Sequence, residues 1–408
     1  MKSKDISSQG LSNLAWALAV AGVRPSGAWL SEFWHELEEQ LEHLNAKDVA
    51  HVFWSICRLE IMPPWVSDGS MPAMIGHAME CVGSAETGQD PATVLVCLAI
   101  WHRSFSYHAP AAEVTRMLSD MQPRLRNYMP QDLVSIVHSL VVMNFTPGRA
   151  WMTDFYMVLR NRLVSEPTLS YSDFQRLLWA LSRIDYVPSR AWLAQFVEIS
   201  SGKLSHLRNS ALSEIVWALA CWQYTPGKEW LREYFRVTMP KLAEFKPTHL
   251  ANTILALKKL NCKVPTLWLD SALCSFCDQL HDARAHDLVT FVDGIVDVCE
   301  DAAWMSRPAT GQRLCSLADF AASKFEICDC VMHAKLLVAL ATAKCCPGTG
   351  WLAQHQASLT KSLASASSMD DEDLDLDSAT AMELRNAYAS MDVPLSPSLE
   401  QELMLRSL

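Results

Sequence analysis

Three stretches decide the fold. They are "RLLWALSRIDYVPSRAWL" from Arg176 to Leu193, "EIVWALACWQYTPGKEWL" from Glu214 to Leu231, and "KLLVALATAKCCPGTGWL" from Lys335 to Leu352. Each is an apolar helical segment, then a proline, then Trp-Leu at a fixed distance. What changes is the first letter, from Arg to Glu to Lys. The same sentence, degraded to varying degrees, recurs along the chain. Aligned on the residue equivalent to Trp16, the anchors are Trp16, Trp54, Val96, His138, Trp179, Trp217, Leu255, Asp293 and Val338. A spacing of mostly 38–42 residues between them is the period of a two-helix repeat stacked into a solenoid.

The register holds position by position. Two residues after the anchor stands Leu or Ile in all nine units, from Leu18 and Ile56 to Leu340. Offsets −5, −2, −1 and +2 form one apolar stripe, the buried face of a helix here termed helix B. Nine residues after the anchor comes Pro25, Pro63, Pro147, Pro188, Pro226 or Pro347, with Pro265 one place later. Proline fixes φ and lacks an N–H, so it closes the connection and opens the next helix, helix A. Thirteen after the anchor stands Trp29, Trp151, Trp192, Trp230, Trp268 or Trp351. Its bulk is expected to lock helix A onto helix B. The units anchored at Val96 and Asp293 lack the Pro/Trp pair.

The reading is therefore an all-α, right-handed α-solenoid of about nine to ten helix-turn-helix repeats. Residues 1–10 form a lead and 11–364 the repeats, degenerate near 67–112 and 285–330. Residues 365–380 form an acidic, disordered insertion with six carboxylates between Asp370 and Asp377, and 381–408 a degenerate last repeat. Periodicity that begins at Leu11 suggests a chain that starts in mid-repeat.

Composition agrees. Half of the 408 residues are hydrophobic, glycines number 14, and no alternating strand pattern is sustained. The net charge of −11 argues against wholesale coating of nucleic acid and leaves room for a local basic strip. The 13 cysteines have no secreted-type framework and read as reduced thiols. No apolar run is long enough to span a bilayer.

"NLAWALAVAGVRPSGAW", with the first two stretches quoted above, resembles the octotricopeptide repeat family. That family combines a Leu-rich Trp-Ala-Leu-Ala helix with a Pro-Pro-Pro-Glu-Trp-like joint. The resemblance runs from Leu11 to Leu399 and is strongest from the His138 unit to Trp230. Related arrays occur in FAST-kinase-like and RNA-editing substrate-binding complex proteins. The resemblance implies sequence-guided binding of single-stranded RNA in mitochondria or chloroplasts, controlling transcript processing, stability or translation. No C-terminal domain of the RAP type is recognisable, so the resemblance implies no nuclease activity.

The repeat shows where variation is allowed. Three residues before the anchor stand Asn13, His51, Thr93, Ser135, Arg176, Glu214, Asn252, Thr290 and Lys335, all polar and differing in hydrogen-bonding pattern. One residue after it, every unit has a small residue. Offsets −3, +1 and +4 follow one helical line. Helix B would thus present a polar reader, a gap and a mixed residue, a layout able to meet one base per repeat. The plainer alternative makes −3 merely solvated, with the small +1 position allowing close helix approach.

For phosphates the candidates are Arg149, Arg190 and Lys228, two residues after the proline in successive units, with Arg183 and Lys259 extending the row. Trp16, Trp54, Trp179 and Trp217 lie beside the apolar stripe and are assigned to core packing rather than to base stacking. Cys274, Cys277 and His281 share a helical face, but a buried cysteine pair beside a surface histidine is the commoner arrangement. No nucleotide-binding loop, zinc-protease motif or nucleophile–base set occurs, so neither catalysis nor a cofactor is expected. The rival reading is a protein-binding solenoid scaffold in a ribonucleoprotein assembly.

Overall fold

The computed structural model describes residues 6–69, 71–165, 169–299, 301–366 and 376–407. All regular structure among them is helical, arranged as ten α-hairpins. The chain divides into two compact units, Met1–Ile199 and Ser200–Leu408.

The first unit holds five pairs: α1 (Ser8–Ala21) with α2 (Gly27–Glu39), α3 (Ala46–Arg58) with α4 (Pro64–Ser67) and α5 (Pro72–Gly83), α6 (Gln89–Phe105) with α7 (Ala111–Met121), α8 (Pro130–Val142) with α9 (Arg149–Ser165), and α10 (Tyr171–Leu181) with α11 (Arg190–Ser201), whose last two residues fall in the second unit. The second unit holds α12 (Asn209–Cys221) with α13 (Lys228–Thr238), α14 (Pro247–Lys259) with α15 (Thr266–Asp278), α16 (Ala285–Asp297) with α17 (Ala302–Met305) and α18 (Pro308–Ala322), α19 (Cys330–Thr342) with α20 (Thr349–Ala366), and α21 (Ser378–Ser390) with α22 (Pro397–Arg406).

Within each unit the B helices pack side by side: α1 on α3, α3 on α6, α6 on α8 and α8 on α10, then α12 on α14, α14 on α16, α16 on α19 and α19 on α21. Each unit is thus a stack of helix pairs, an α-solenoid. The core follows the stripe read from sequence. Leu11, Val52, Phe53, Leu133, Ile136, Leu177, Leu212, Ile215, Leu250 and Leu336 are all buried.

The repeat's boundaries have local causes. The residue nine before the anchor caps helix B where it carries a suitable side chain. Ser7, Asn45, Ser170, Asp329 and Asp377 each accept a first-turn backbone N–H. Helix B ends on a left-handed residue six after the anchor: Gly22, Glu60, Asn144, Gln223, Asn261 and Lys344. The next N–H then returns to the carbonyl two after the anchor, as in Phe145 to Leu140, Tyr224 to Leu219 and Cys345 to Leu340. That bond satisfies an orphan carbonyl and turns the chain. Asp392 and the Val393-to-Leu-type bond onto Tyr388 repeat the motif in α21, which makes Asn386 a tenth anchor.

One expectation about the joint is corrected and one is extended. The proline does not open helix A; Pro25 and Pro188 stand one residue before the cap, and Ser26 and Ser189 accept the N–H of Trp29 and Trp192. The joint tryptophan also ties helix A to its predecessor. Its indole N–H reaches the preceding helix A: Trp192 donates to the Tyr156 carbonyl, Trp268 to Thr238 Oγ1 at 2.9 Å, and Trp351 to the Ala318 carbonyl. The ring also stacks on the aromatic residue four later, with centroids 5.1–5.4 Å apart in Trp29/Phe33, Trp151/Phe155, Trp192/Phe196, Trp230/Tyr234 and Trp351/His355. Two joints use a tryptophan eleven after the anchor instead. Trp65 and Trp304 lie in the short helices α4 and α17, are buried, and precede a helix that begins with Pro72 or Pro308.

Most of the acidic stretch 365–380 lies outside the described residues. Among the described residues, no helix is long and apolar enough to cross a membrane.

Candidate nucleic-acid interface

Helix B has a buried stripe, two shoulders and one open line. Taking 100° per residue, offsets +1 and −4 fall on either side of the line through −3, 0 and +4. The structure closes both shoulders. At +1, Ser55, Cys97, Ser139, Ala180, Ala218, Ala256, Gly294 and Ala339 are buried; Ala17 alone is exposed. A β-carbon on Gly294 would sit 2.4 Å from Ile254 Cγ2 in the preceding B helix, so smallness here serves helix approach. On the other shoulder Ser12 Oγ donates to Asp48 Oδ1 of the next B helix at 2.6 Å, and Ser213 Oγ donates to the His249 carbonyl of the next B helix at 3.1 Å. The gap expected at +1 is therefore occupied by the neighbouring helix.

The line left open is −3, 0 and +4. None of the nine −3 residues is buried: Asn13 and Lys335 are exposed, and His51, Thr93, Ser135, Arg176, Glu214, Asn252 and Thr290 are half-buried. The anchors share that face, which corrects their assignment to the core. Trp16 is 44% and Trp54 36% exposed, and Trp179 and Trp217 are half-buried. The reason is angular, since the anchor lies within about 60° of −3 and +4 and about 100° from the −1 edge of the stripe.

In the first unit this line holds aromatic rings and cations. Trp16 stacks on His51, centroids 6.2 Å apart, and His138 leans on Trp179 at 5.0 Å. The Arg183 guanidinium lies 4.6 Å from the Trp179 ring centroid. Positions −3, 0 and +4 of these five helices carry Arg58, Arg176 and Arg183 and no carboxylate. Asp173 stands 3.6 Å from Arg176, one turn earlier. Burial, then the charges of Arg176 and Arg103, lowers His138 to about 4, so its ring is neutral at physiological pH.

Three cavities open on this face. One of about 480 Å³ is lined by Trp16, Lys47, His51, Trp54, Gln89, Asp90 and Thr93. The next, about 470 Å³, is lined by Trp54, Arg58, Thr93, Val96, Asp132 and Ser135 among others. The third, about 650 Å³, lies among Arg103, Asn144, Thr146, Trp179 and Arg183. The first two place consecutive −3 residues, His51 with Thr93 and Thr93 with Ser135, in one recess. Nδ1 of His51 is buried without a hydrogen-bond partner among the described residues. Burial raises the carboxyl pKa values of Asp90 and Asp132 in the same recesses.

The second unit differs. Its open line carries Glu214, Asp293, Asp297 and Glu383 beside Lys259 and Lys335. Lys259 caps the Trp217 ring at 4.8 Å. Lys258 is bound by Asp293 at 2.8 Å and Asp297 at 2.6 Å. Burial opposes its charge, but the bonds to Asp293 and Asp297 prevail and raise its pKa.

Of the expected phosphate contacts, Arg149, Arg190 and Lys228 are exposed and form the first residue of α9, α11 and α13. A cation at a helix N-terminus is opposed by the helix dipole, so their position is not explained by helix stability. Arg183 and Lys259 belong to the open line. The Cys274, Cys277 and His281 set does not come together as a metal site; among the described residues no group of three such ligands does. All thirteen cysteines are free thiols.

The sequence profile described as "Tbc2 translation factor, N-terminal domain" matches residues 88–278. No curated protein matches the chain. Among solved structures, a homology model of the full-length AP-3 complex in an intermediate open conformation is similar over 98% of this chain and 80% of that chain, with 11% identity and a TM-score of 0.32. At that score the likeness has no bearing on function. The chain is thus similar, over just under half its length, to the N-terminal domain of a translation factor.

Proposed function

We propose that this protein binds single-stranded RNA along the open helix-B line of its first unit and so controls translation, processing or stability of a transcript. The observation that carries the reading is a line of exposed and half-buried aromatic rings that also holds three arginines and no carboxylate. Aromatic faces stack unpaired bases, cations hold the backbone, and variable polar side chains between them distinguish base edges. Similarity to a translation factor domain over residues 88–278 and the octotricopeptide-like joints support the same reading. By that resemblance the RNA would be a mitochondrial or chloroplast transcript. The mode of action is occupancy of the RNA rather than chemistry on it, with other ribonucleoprotein components as secondary partners. The carboxylates of the second unit's line favour the scaffold reading for that unit alone.

The test is crosslinking to cellular RNA followed by sequencing. Wild-type protein is expected to enrich a short segment of few transcripts, and Arg58→Ala with Arg183→Ala to lose it. Enrichment unchanged in that double variant would remove the first unit's line as the binding surface.

A further inference from the structure

The third cavity stands apart chemically from the other two. It lies at the C-terminal ends of α6, α8 and α10. Two arginines, Arg103 and Arg183, line it and no carboxylate does, whereas Asp90 lines the first cavity and Asp132 the second. Its volume, about 650 Å³, falls in the range of small-ligand sites. Arg183 is fixed as a plane, with its guanidinium over the Trp179 ring and Nη1 bonded to the Trp179 carbonyl at 3.0 Å and to Ser182 Oγ at 3.1 Å. Guanidinium planes are stacking surfaces for bases. Arg103 is exposed at the wall, and its charge is felt at His138 together with that of Arg176. Asn144, held left-handed at the helix end, and Thr146 supply uncharged hydrogen-bonding groups. A flat cationic platform, a second cation and neutral polar groups are the complement of a base joined to a phosphate.

We propose that this cavity is a nucleotide pocket, with a base on the Arg183–Trp179 stack and its phosphate against Arg103. The proposal rests on the RNA reading of this face for the source of the nucleotide. Its chemistry can be tested without that reading.

The full-length protein is titrated with 5′-AMP, 5′-UMP, adenosine and uridine by equilibrium dialysis. Both monophosphates are expected to saturate one site, and the nucleosides to bind at least about tenfold more weakly, because a charge-assisted phosphate contact is lost. Arg103→Ala should weaken the monophosphates about tenfold and leave the nucleosides unchanged. Arg183→Lys, which keeps the charge and loses the plane, should weaken all four. Both side chains are exposed, and thermal melts identify any variant that fails to fold. Absence of saturable monophosphate binding, or binding indifferent to both substitutions, overturns the pocket.

A twelve-nucleotide RNA with a 5′-phosphate or a 5′-hydroxyl then assigns the source. A preference for the phosphate that disappears in Arg103→Ala supports a pocket for the chain end. Equal affinities, lowered alike by Arg103→Ala, support a pocket for an internal nucleotide. Monophosphate binding without RNA binding keeps the pocket, as a free-nucleotide site, and removes the RNA reading. RNA binding unaffected by Arg103→Ala, without monophosphate binding, removes the pocket and keeps the RNA reading.

Discussion

Two tryptophans with the same sequence prominence do opposite work. Trp268 is 1% exposed and its N–H bonds Thr238 of the preceding A helix. Trp268→Ala should cost about 3–5 kcal/mol in chemical denaturation, the usual range for a buried large aromatic. Trp54 stands on the open line, so Trp54→Ala should shift stability by less than about 1 kcal/mol while weakening single-stranded RNA binding by about 1–3 kcal/mol. The reverse pattern would return the anchors to the core. Gly294 gives a second residue-level check. Its substitution by Ala drives a β-carbon into Ile254 and should destabilise by about 1–3 kcal/mol. In an Ile254→Ala background that added cost should largely vanish; a cost that persists unchanged would show that the contact is not its cause.

At the scale of the helix pair, the α19–α20–α21 junction buries two histidines. His355 bonds the Tyr388 hydroxyl at 2.6 Å and the His333 carbonyl at 3.2 Å. Burial lowers His333 to about 4; burial and then the neighbouring His333 lower His355 to about 3. Both pKa values are lower folded than the ordinary 6.5, so as the pH falls the unfolded chain takes up protons first. The stability they confer is complete above about 6.5 and is lost progressively towards pH 4. Second-unit melts should therefore fall between pH 7.5 and 5. His333→Phe, which removes one of the two buried imidazoles, should reduce the fall by about half. An undiminished fall would place the acid sensitivity elsewhere. The left-handed turn offers the opposite sign: Lys344, at φ 54°, replaced by Gly should stabilise by about 0.5–1 kcal/mol.

These elements also show what was legible in the sequence. Helix B and its stripe follow from a period that recurs along the chain, and the turn that follows helix B from the proline that most units keep. The open line was half legible. The −3 residues were found because polarity at that offset never lapses. The +1 and anchor positions were misassigned because sequence gives the angle of a residue and not which side a neighbouring helix occupies. Ser12 with Asp48, and Gly294 against Ile254, show which shoulder meets which neighbour. Trp65 and Trp304 escaped because their joints move the ring by two residues. The 650 Å³ cavity draws on three repeats, and no single repeat's text contains it.

Over the whole molecule, charge separates the two units. The net −11 conceals a first-unit line with three arginines and a second-unit line with more carboxylates than lysines. RNA binding is therefore expected to follow the first unit, with a salt dependence set by its arginines. The most direct test is RNA affinity measured against salt for the wild type, for Arg58→Ala/Arg176→Ala/Arg183→Ala, and for Lys259→Ala/Lys335→Ala. Each phosphate contact on a single strand contributes about 0.7 to the slope of log affinity against log salt. Removal of the three first-unit arginines should lower affinity and flatten the slope by about 2, while the two second-unit lysines change either far less. Equal losses in both variants, or an unaltered slope without the arginines, would contradict an RNA path along the first unit's helix-B face.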